Sequence, residues 1–215
     1  MIHLYAFVDG LDPAAALRGA SGEALETHRF DGVTAVIGEL ADALPETRDR
    51  AVAHGLVVES LRDHAGAVLP ARLARPFPDR AALVAATAPQ VPSLRQRLVR
   101  VRGCVELGVR VRTRDAQAHE PAADGTSYMQ RLAAAASERR ALADEADALL
   151  RRHALDCRVQ AAHDAATLFR AAYLVRCDAA AGFARRAARL AERHPELTLA
   201  CTGPWAPYSF VEEAA

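Results

Sequence analysis

The stretch LETHRFDGVTAVIGEL, residues 25–40, decides the fold of the first half of the chain. Two runs rich in β-forming residues, 25–30 and 33–40, flank Asp31-Gly32. An Asp-Gly pair tolerates the positive φ angles of a tight type I′ turn. The stretch therefore predicts a β-hairpin.

The segments on either side of this hairpin complete a recognisable order. Residues 2–8 form an apolar run that ends at a turn signal, Asp9-Gly10, and predict a strand. Asp12 and Pro13 can open a short helix that reaches about residue 20. Residues 47–65 have the apolar spacing of an amphipathic helix, with an apolar face made of Val52, Leu56, Val57, Val58 and Leu61.

A further strand is predicted at residues 68–73, with Pro70 suggesting an edge or bulge position. The order strand, helix, strand, strand, helix, strand is that of a ferredoxin-like domain. Residues 80–88 and 93–101 predict two more short helices, separated by Pro89 and Pro92.

The second half repeats this order. Residues 104–112 alternate between apolar and polar or small side chains, as a half-buried strand does. A long helix follows at about 127–154. The remaining predictions are strands at 156–162 and 168–177, a helix capped by Asp178 that runs to about 194, and a last strand at 197–202.

The predicted fold class is therefore α+β, with two domains that are each a ferredoxin-like βαββαβ variant. Residues 1–102 form the first domain, which includes the two extra short helices. Residues 103–215 form the second, with the long helix and a tail rich in proline and aromatic residues. The halves share no residue pattern, so the repeat is one of topology.

Composition narrows the range of partners. The chain has 27 basic and 27 acidic side chains, and every basic residue is arginine. An arginine-rich recognition surface is one interpretation. The balance of acidic residues and the abundance of alanine favour compositional bias, so we expect no nucleic-acid partner.

The sequence shows no membrane helix and no signal peptide, and this predicts where the protein is located. No stretch approaches the ~20 uninterrupted apolar residues of a membrane helix, and the start lacks the features of a signal peptide. These observations predict a cytoplasmic protein with no membrane partner.

Candidate catalytic and metal-binding groups are weak. The four cysteines, Cys104, Cys157, Cys177 and Cys201, lack the close-spaced pairs of structural zinc sites, and we expect buried, inert thiols. His54 with Glu59, or His163 with Asp164, has no recognisable nucleophile. There is also no glycine-rich phosphate loop. The expectation is no enzyme, no metal and no cofactor.

The tail TGPWAPYSFV, residues 202–211, is the most informative segment. Two prolines fix φ, which leaves little backbone entropy to lose on docking. Three aromatic side chains offer ~150–250 Å² each. One hypothesis is a partner-binding surface made of Pro204, Trp205, Pro207, Tyr208 and Phe210. The alternatives are a lid that folds back on the C-terminal half itself and a mixed arrangement, with Trp205 inward and Tyr208 or Phe210 outward.

This tail resembles the C-terminal signature T-G-P-W-P-P-Y-S/N-F of the GvpF/GvpL family of gas vesicle proteins, with Ala206 at the second proline. Other segments agree with the family pattern in the same order along the chain. They are HLYAFV (3–8), AH..VVESL (53–61), VLP (68–70), GCVE (103–106), GTSY (125–128) and AYLV (172–175). The chain departs from the pattern at Ala6, at Met129 and after Pro70.

The resemblance implies a two-domain α+β protein that takes part in gas vesicle formation in the cytoplasm. It also implies association with the main shell protein and with other accessory proteins. The chain is thus expected to be an assembly factor rather than an enzyme. The alternative is a small-molecule enzyme or sensor on paired ferredoxin-like domains, which would need a deep pocket with convergent polar groups.

Overall fold

The computed structural model describes residues 1–12, 17–73, 76–113, 125–160 and 166–211. The chain forms two compact units. One contains Met1–Val105 together with Trp205–Ala215, and the other contains Glu106–Pro204. The division predicted at residues 102 and 103 stays a prediction. The end of the tail, which that prediction assigned to the second half, is grouped here with the first unit.

The first unit combines a sheet with three helices. Its elements are β1 (Ile2–Asp9), β2 (Leu25–Phe30), β3 (Val33–Glu39), α1 (Arg48–His64), β4 (Ala67–Pro70), β5 (Pro76–Phe77), α2 (Arg80–Thr87) and α3 (Val91–Val101). The strand order is β2-β3-β1-β4, and the short β5 also pairs with β1. This is the order that a ferredoxin-like sheet requires.

The hairpin predicted from residues 25–40 is confirmed. Strands β2 and β3 are antiparallel, and Phe30 pairs with Val33 across the turn. Gly32 has a φ of 73°, in the left-handed region that glycine adopts without strain. Asp31 does not have a positive φ, so the turn is not the predicted type I′. The turn residue therefore sets the register of the two strands.

Helix α1 covers the sheet of this unit. Thr47 caps it, with Oγ1 accepting a hydrogen bond from the backbone N–H of Arg50 at 3.3 Å. Its buried residues, His54, Val57, Val58 and Leu61, recur at helical spacing. The predicted helix is confirmed, and its inward face carries one histidine. The prediction that Val52 and Leu56 belong to this face is wrong, because both side chains are exposed.

The first predicted helix, over residues 12–20, is only partly testable, because residues 13–16 lie outside the described residues. Residues 17–20 are not helical. Arg18 instead forms a β-bridge with Ala24, and the N–H of Gly22 donates to Gly19 O at 2.9 Å. Gly22 has a φ of 83°, so a tight glycine turn takes the place of the helix end.

The second unit has the full predicted order. Its elements are β6 (Cys104–Thr113), α4 (Gly125–Arg151), β7 (Asp156–Gln160), β8 (Thr167–Arg176), α5 (Ala180–Arg193) and β9 (Leu197–Trp205). The strand order is β7-β8-β6-β9, and β7 pairs antiparallel with β8. The apolar face of the sheet and the helices α4 and α5 enclose one core, which includes Val109, Leu150, Tyr173 and Phe183.

Several boundaries in this unit differ from prediction. Helix α4 ends at Arg151 rather than at about residue 154, and β8 ends at Arg176 rather than at residue 177. Asp178 does not cap α5, because a 3₁₀ turn (Cys177–Ala179) precedes the helix and Asp178 accepts a hydrogen bond from Arg176 instead. Strand β9 runs to Trp205 rather than ending at residue 202. Pro204 lacks an N–H but tolerates an extended backbone. The start of the tail is therefore a strand.

None of the helices in the described residues combines the length and the apolar character needed to cross a bilayer.

Candidate functional site in the C-terminal tail

The tail alternates between exposed and buried side chains. Trp205 is 48% exposed and Tyr208 is 38% exposed, whereas Phe210 is 3% exposed. Pro204 is exposed and Pro207 is buried. The five predicted site residues are therefore close in sequence but divided in role. Three of them reach the surface, and two are buried. The mixed arrangement is correct in placing Tyr208 outward, but it is wrong in placing Trp205 inward.

Glu59 on α1 fastens the middle of the tail. Its Oε1 accepts a hydrogen bond from the backbone N–H of Ala206 at 2.6 Å. Its Oε2 accepts one from Arg62 Nε at 2.8 Å. Hydrogen bonds to an ionised carboxylate are roughly twice as strong as neutral ones. One side chain thus satisfies a buried backbone donor and keeps a cation beside it.

Ala206 packs into the core of the first unit. It is fully buried and belongs to the same apolar cluster as Tyr5, Val58 and Leu61. The lid hypothesis placed the tail on the C-terminal half of the chain, and this placement is wrong for Ala206. The small alanine side chain fits a position in contact with β1 and α1, and Glu59 receives the adjacent N–H.

Two buried histidines, His3 and His54, lie next to the buried position of Ala206 against β1 and α1, which is the seat of the tail. His3 and His54 are 2% and 3% exposed, and His3 Nε2 lies 2.9 Å from His54 Nδ1. His54 Nε2 lies 2.9 Å from the carbonyl oxygen of Ala71. The ring of Tyr5 stacks on that of His54 with centroids 5.2 Å apart. Burial lowers the pKa of His3 to about 4, and it also lowers the pKa of His54.

Tyr5 connects this group to the turn before β2. Its hydroxyl donates to Glu23 Oε1 and accepts a hydrogen bond from the backbone N–H of Ala20 at 2.7 Å. Burial and the neighbouring Glu23 carboxylate raise the pKa of Tyr5. Arg50 on α1 donates to the carbonyl oxygen of Ala20 at 3.1 Å. Together these contacts tie α1, β1 and the turn to one another.

His54 and Glu59 do not act on a common atom. The imidazole faces His3 and the carbonyl of Ala71, whereas the carboxylate faces Ala206 and Arg62. His163 and Asp164 lie outside the described residues. Among the residues that the structure describes, no group of three or more metal-ligating side chains is arranged to hold an ion.

The second unit has a smaller polar cluster around Asp147. Its Oδ1 accepts a hydrogen bond from the hydroxyl of Tyr173 at 2.7 Å, and its Oδ2 accepts one from Arg151 Nε at 2.5 Å. Cys157 Sγ lies 3.7 Å from Oδ1. Burial and the nearby carboxylate raise the pKa of this thiol to about 11. The thiol therefore stays protonated and poorly nucleophilic at neutral pH.

The cysteines differ from one another more than predicted. Cys104 is buried, and Cys157 and Cys201 are half-buried. Cys177 is exposed, which contradicts the expectation of four buried thiols. It lies in the 3₁₀ turn that precedes α5 rather than on β8, so its side chain leaves the sheet.

An open cleft of about 660 Å³ lies beside β2 and β3. Leu25, Thr27 and Val36 contribute to one wall. Leu11, Asp12 and Leu17 also line the cleft. Glu26 in the lining forms an ion pair with Arg80. The described lining also includes the polar residues Asp12, Thr27, Arg29 and Thr34.

The sequence did not predict that Glu59 accepts a hydrogen bond from the tail, or that His3 is a buried partner of His54. Both residues lie in segments that were noted for their resemblance to a family pattern. The two segments that meet at Glu59 and Ala206 are 147 residues apart. No local pattern connects them.

The fold and the site define a class: a two-unit α+β protein of ferredoxin-like topology whose aromatic C-terminal tail is anchored on the first unit. A family model described as gas vesicle synthesis protein GvpL/GvpF matches residues 1–212, and the chain belongs to this family. It therefore has a role in gas vesicle formation. The family resemblance read from the sequence is confirmed.

Individual relatives agree with this assignment. The chain is 29% identical over 189 residues to gas vesicle protein F2 of Halobacterium salinarum, covering 86% of this chain and 79% of that protein. Its fold matches the crystal structure of GvpF from Anabaena sp. PCC7120 with a TM-score of 0.86 at 16% identity, covering 100% of this chain and 97% of that chain. GvpF from Microcystis aeruginosa gives 0.81 at 14% identity, with 99% of each chain covered. The α+β fold class is confirmed.

Proposed function

We propose that this chain is a non-enzymatic assembly factor that binds the main gas vesicle shell protein, and other accessory proteins, in the cytoplasm during vesicle formation. Family membership supports the process. One observation supports the site. Trp205 and Tyr208 are held at the surface by neighbours that are themselves buried.

The exposed aromatic pair suits a protein partner. Trp and Tyr combine a large apolar area with a hydrogen-bonding end, and they are enriched where binding energy concentrates. Pro204 and Pro207 limit the backbone conformations of the segment, so docking costs little entropy. A hydrophobic shell subunit would cover the two rings and gain the apolar contact that water does not provide.

The other predicted residues take a supporting role in this proposal. Phe210, Pro207 and Ala206 are buried and keep the segment on the first unit. Glu59 holds the backbone between the two exposed rings. In this arrangement, Pro204, Trp205 and Tyr208 contact the partner, whereas Pro207 and Phe210 fix where the contact residues lie.

The test is a pull-down of purified main shell protein by this chain and by a Trp205→Ala/Tyr208→Ala variant. Circular dichroism must first show that the variant is folded. We expect the normal chain to retain shell protein, and we expect the variant to retain at least tenfold less of it. The matched control is Leu155→Ala/Val159→Ala, which removes two exposed apolar side chains, 62% and 60% exposed, at and beside the strand β7 of the other unit.

The two variants separate two binding surfaces. Retention lost only in the tail variant would support the proposed site. Retention lost only in the β7 variant would move the interface to that sheet edge, where unpaired strands can receive a partner strand. If the normal chain retained no shell protein at all, direct shell binding would be wrong, and the role would lie with other accessory proteins.

A further inference from the structure

The histidine pair His3–His54 has a proton arrangement that geometry alone assigns. His54 Nε2 faces the carbonyl oxygen of Ala71, so this nitrogen carries the hydrogen. In a neutral ring, His54 Nδ1 is then an acceptor, and His3 Nε2 must be the donor that fills it. His3 Nδ1 is left without a hydrogen.

His3 Nδ1 is buried and has no hydrogen-bond partner in the part of the chain that the structure describes. Without a hydrogen, His3 Nδ1 is a buried acceptor, and the folded state loses little free energy beyond the hydration of that nitrogen. A nitrogen with a hydrogen would be a buried donor without an acceptor, which costs about 1–3 kcal/mol and more when charged.

When the pair takes up one proton, every arrangement without a clash leaves a hydrogen on His3 Nδ1. If His54 kept hydrogens on both nitrogens, its Nδ1 hydrogen would point at the hydrogen on His3 Nε2. Relief of that clash requires His3 to give up the Nε2 hydrogen and to carry one on Nδ1. If His3 is the protonated ring instead, the added hydrogen is on Nδ1 directly. Each arrangement without a clash therefore places a hydrogen on His3 Nδ1.

Among the described residues, the neighbouring charged groups do not form a hydrogen bond with His3 Nδ1. Glu23, in the turn before β2, favours a cation at His3, but its two oxygens already accept from the hydroxyl of Tyr5 and the N–H of Ser21. On α1, Arg50 donates to Ala20 and Ser21 on the same turn. Tyr5 on β1 uses its hydroxyl for Glu23 and Ala20.

The pair is physically continuous with the seat of the tail. His54 and Glu59 belong to the same helix, one and a half turns apart. The Tyr5 ring stacks on His54 and also belongs to the cluster that buries Ala206. A change that separates α1 from β1 at the histidines would therefore move both the side chain and the cluster that hold the tail.

We propose that the His3–His54 pair is an acid-sensitive latch that holds α1 on β1, and that its protonation releases the tail from its seat. The inference does not depend on what the tail binds. It requires that the latch is closed when both rings are neutral and opens when the pair takes up one proton. The depressed pKa values of both histidines agree with this direction.

The first test observes the tail through its tryptophan fluorescence, because Trp205 is the single tryptophan of the chain. Its fluorescence emission is followed from pH 8 to pH 4 in the full-length protein, in His3→Gln and in His153→Gln. The glutamine at position 3 keeps an amide donor near His54 but lacks the nitrogen that must take the proton. His153 is an exposed histidine of the other unit and serves as the matched control.

We expect a transition in the normal chain between pH 6.5 and pH 4, with the same midpoint in His153→Gln. In His3→Gln the midpoint should fall by at least one pH unit. An emission spectrum that does not change down to pH 4 would overturn the proposal. A transition that His3→Gln leaves in place would also overturn it.

A second measurement needs no variant and decides the matter if His3→Gln fails to fold. Nitrogen-15 spectra of histidine-labelled normal chain report which ring nitrogen carries hydrogen. At pH 7.5 we expect His3 and His54 both as neutral rings with hydrogen on Nε2, and His3 titrating at least one pH unit below the ordinary histidine pKa of 6.5. Hydrogen on His3 Nδ1 at pH 7.5, or a His3 midpoint at the ordinary value, would rule out the latch.

Discussion

Glu59 Oε1 lies 2.6 Å from the backbone nitrogen of Ala206, and this hydrogen bond joins two points 147 residues apart in the chain. Ala206 is fully buried, so its N–H cannot turn to water if the carboxylate is lost. The end of the chain is thus held on the first unit by a specific acceptor as well as by apolar contact.

Replacing this acceptor should loosen the tail. For Glu59→Ala, we expect a loss of about 1–3 kcal/mol in the free energy of unfolding, because a buried donor is left unsatisfied. Glu59→Gln keeps a carbonyl oxygen for Ala206 and should cost less than about 1 kcal/mol. Urea unfolding followed by Trp205 fluorescence measures both. The exposed Glu46→Ala is the control, and equal effects at positions 46 and 59 would contradict the anchor.

The aromatic residues of the tail should separate into structural and surface roles. Phe210→Ala removes a ring that is 3% exposed, and it should cost about 3–5 kcal/mol. Trp205→Ala removes a ring that is 48% exposed, and the cost should stay below about 1 kcal/mol. Thermal unfolding by circular dichroism measures both. A large loss for Trp205→Ala would mean that this residue supports the fold and is a poor candidate for a contact residue.

Stability should fall with acid in a defined window. The pKa of His3 is about 4 in the folded protein and 6.5 ordinarily, so folding favours the neutral ring. The contribution of His3 to the free energy of unfolding is fully present above pH 6.5 and is lost as the pH falls toward 4. One pKa unit is worth about 1.4 kcal/mol, so we expect a loss of up to ~3 kcal/mol, less whatever water screens. Urea unfolding at pH 7.5 and pH 4.5 measures it.

The comparison that isolates His3 in this measurement is His3→Gln at the same two pH values. Carboxylates elsewhere contribute to both proteins alike. If the two proteins lost the same stability between pH 7.5 and pH 4.5, the loss would have to come from groups other than this histidine.

One thiol should react well ahead of the other three. Cys177 is exposed, Cys104 is buried, and burial raises the pKa values of Cys157 and Cys201. Because the thiolate is the reactive form, we expect about one thiol per folded chain to react with a disulfide reagent at pH 8, at least tenfold faster than the rest. Cys177→Ser should remove this fast phase. A fast phase that survives in Cys177→Ser would show that another thiol is accessible.

Local pattern was sufficient for most of the elements. Asp31-Gly32 between two β-rich runs specified a hairpin because the turn needs positive φ, which glycine supplies at no cost. Apolar spacing also predicted the inward positions of Val57, Val58 and Leu61 on α1. It was wrong for Val52 and Leu56, which are exposed. Where a local pattern competed with glycines, as at residues 17–20, the helix prediction was wrong.

The sequence by itself determined the α+β class, the repeated strand and helix order, and the stiff aromatic character of the tail, because each depends on neighbours a few residues away. Only the tertiary structure decided that Ala206 is bound by Glu59, that Phe210 is buried while Trp205 is exposed, and that His3 meets His54 across 51 residues. These contacts join segments that no short period connects. They form because α1 packs on β1, which buries His54 against His3, makes a small apolar position for Ala206 and places the half-buried Glu59 carboxylate beside its N–H.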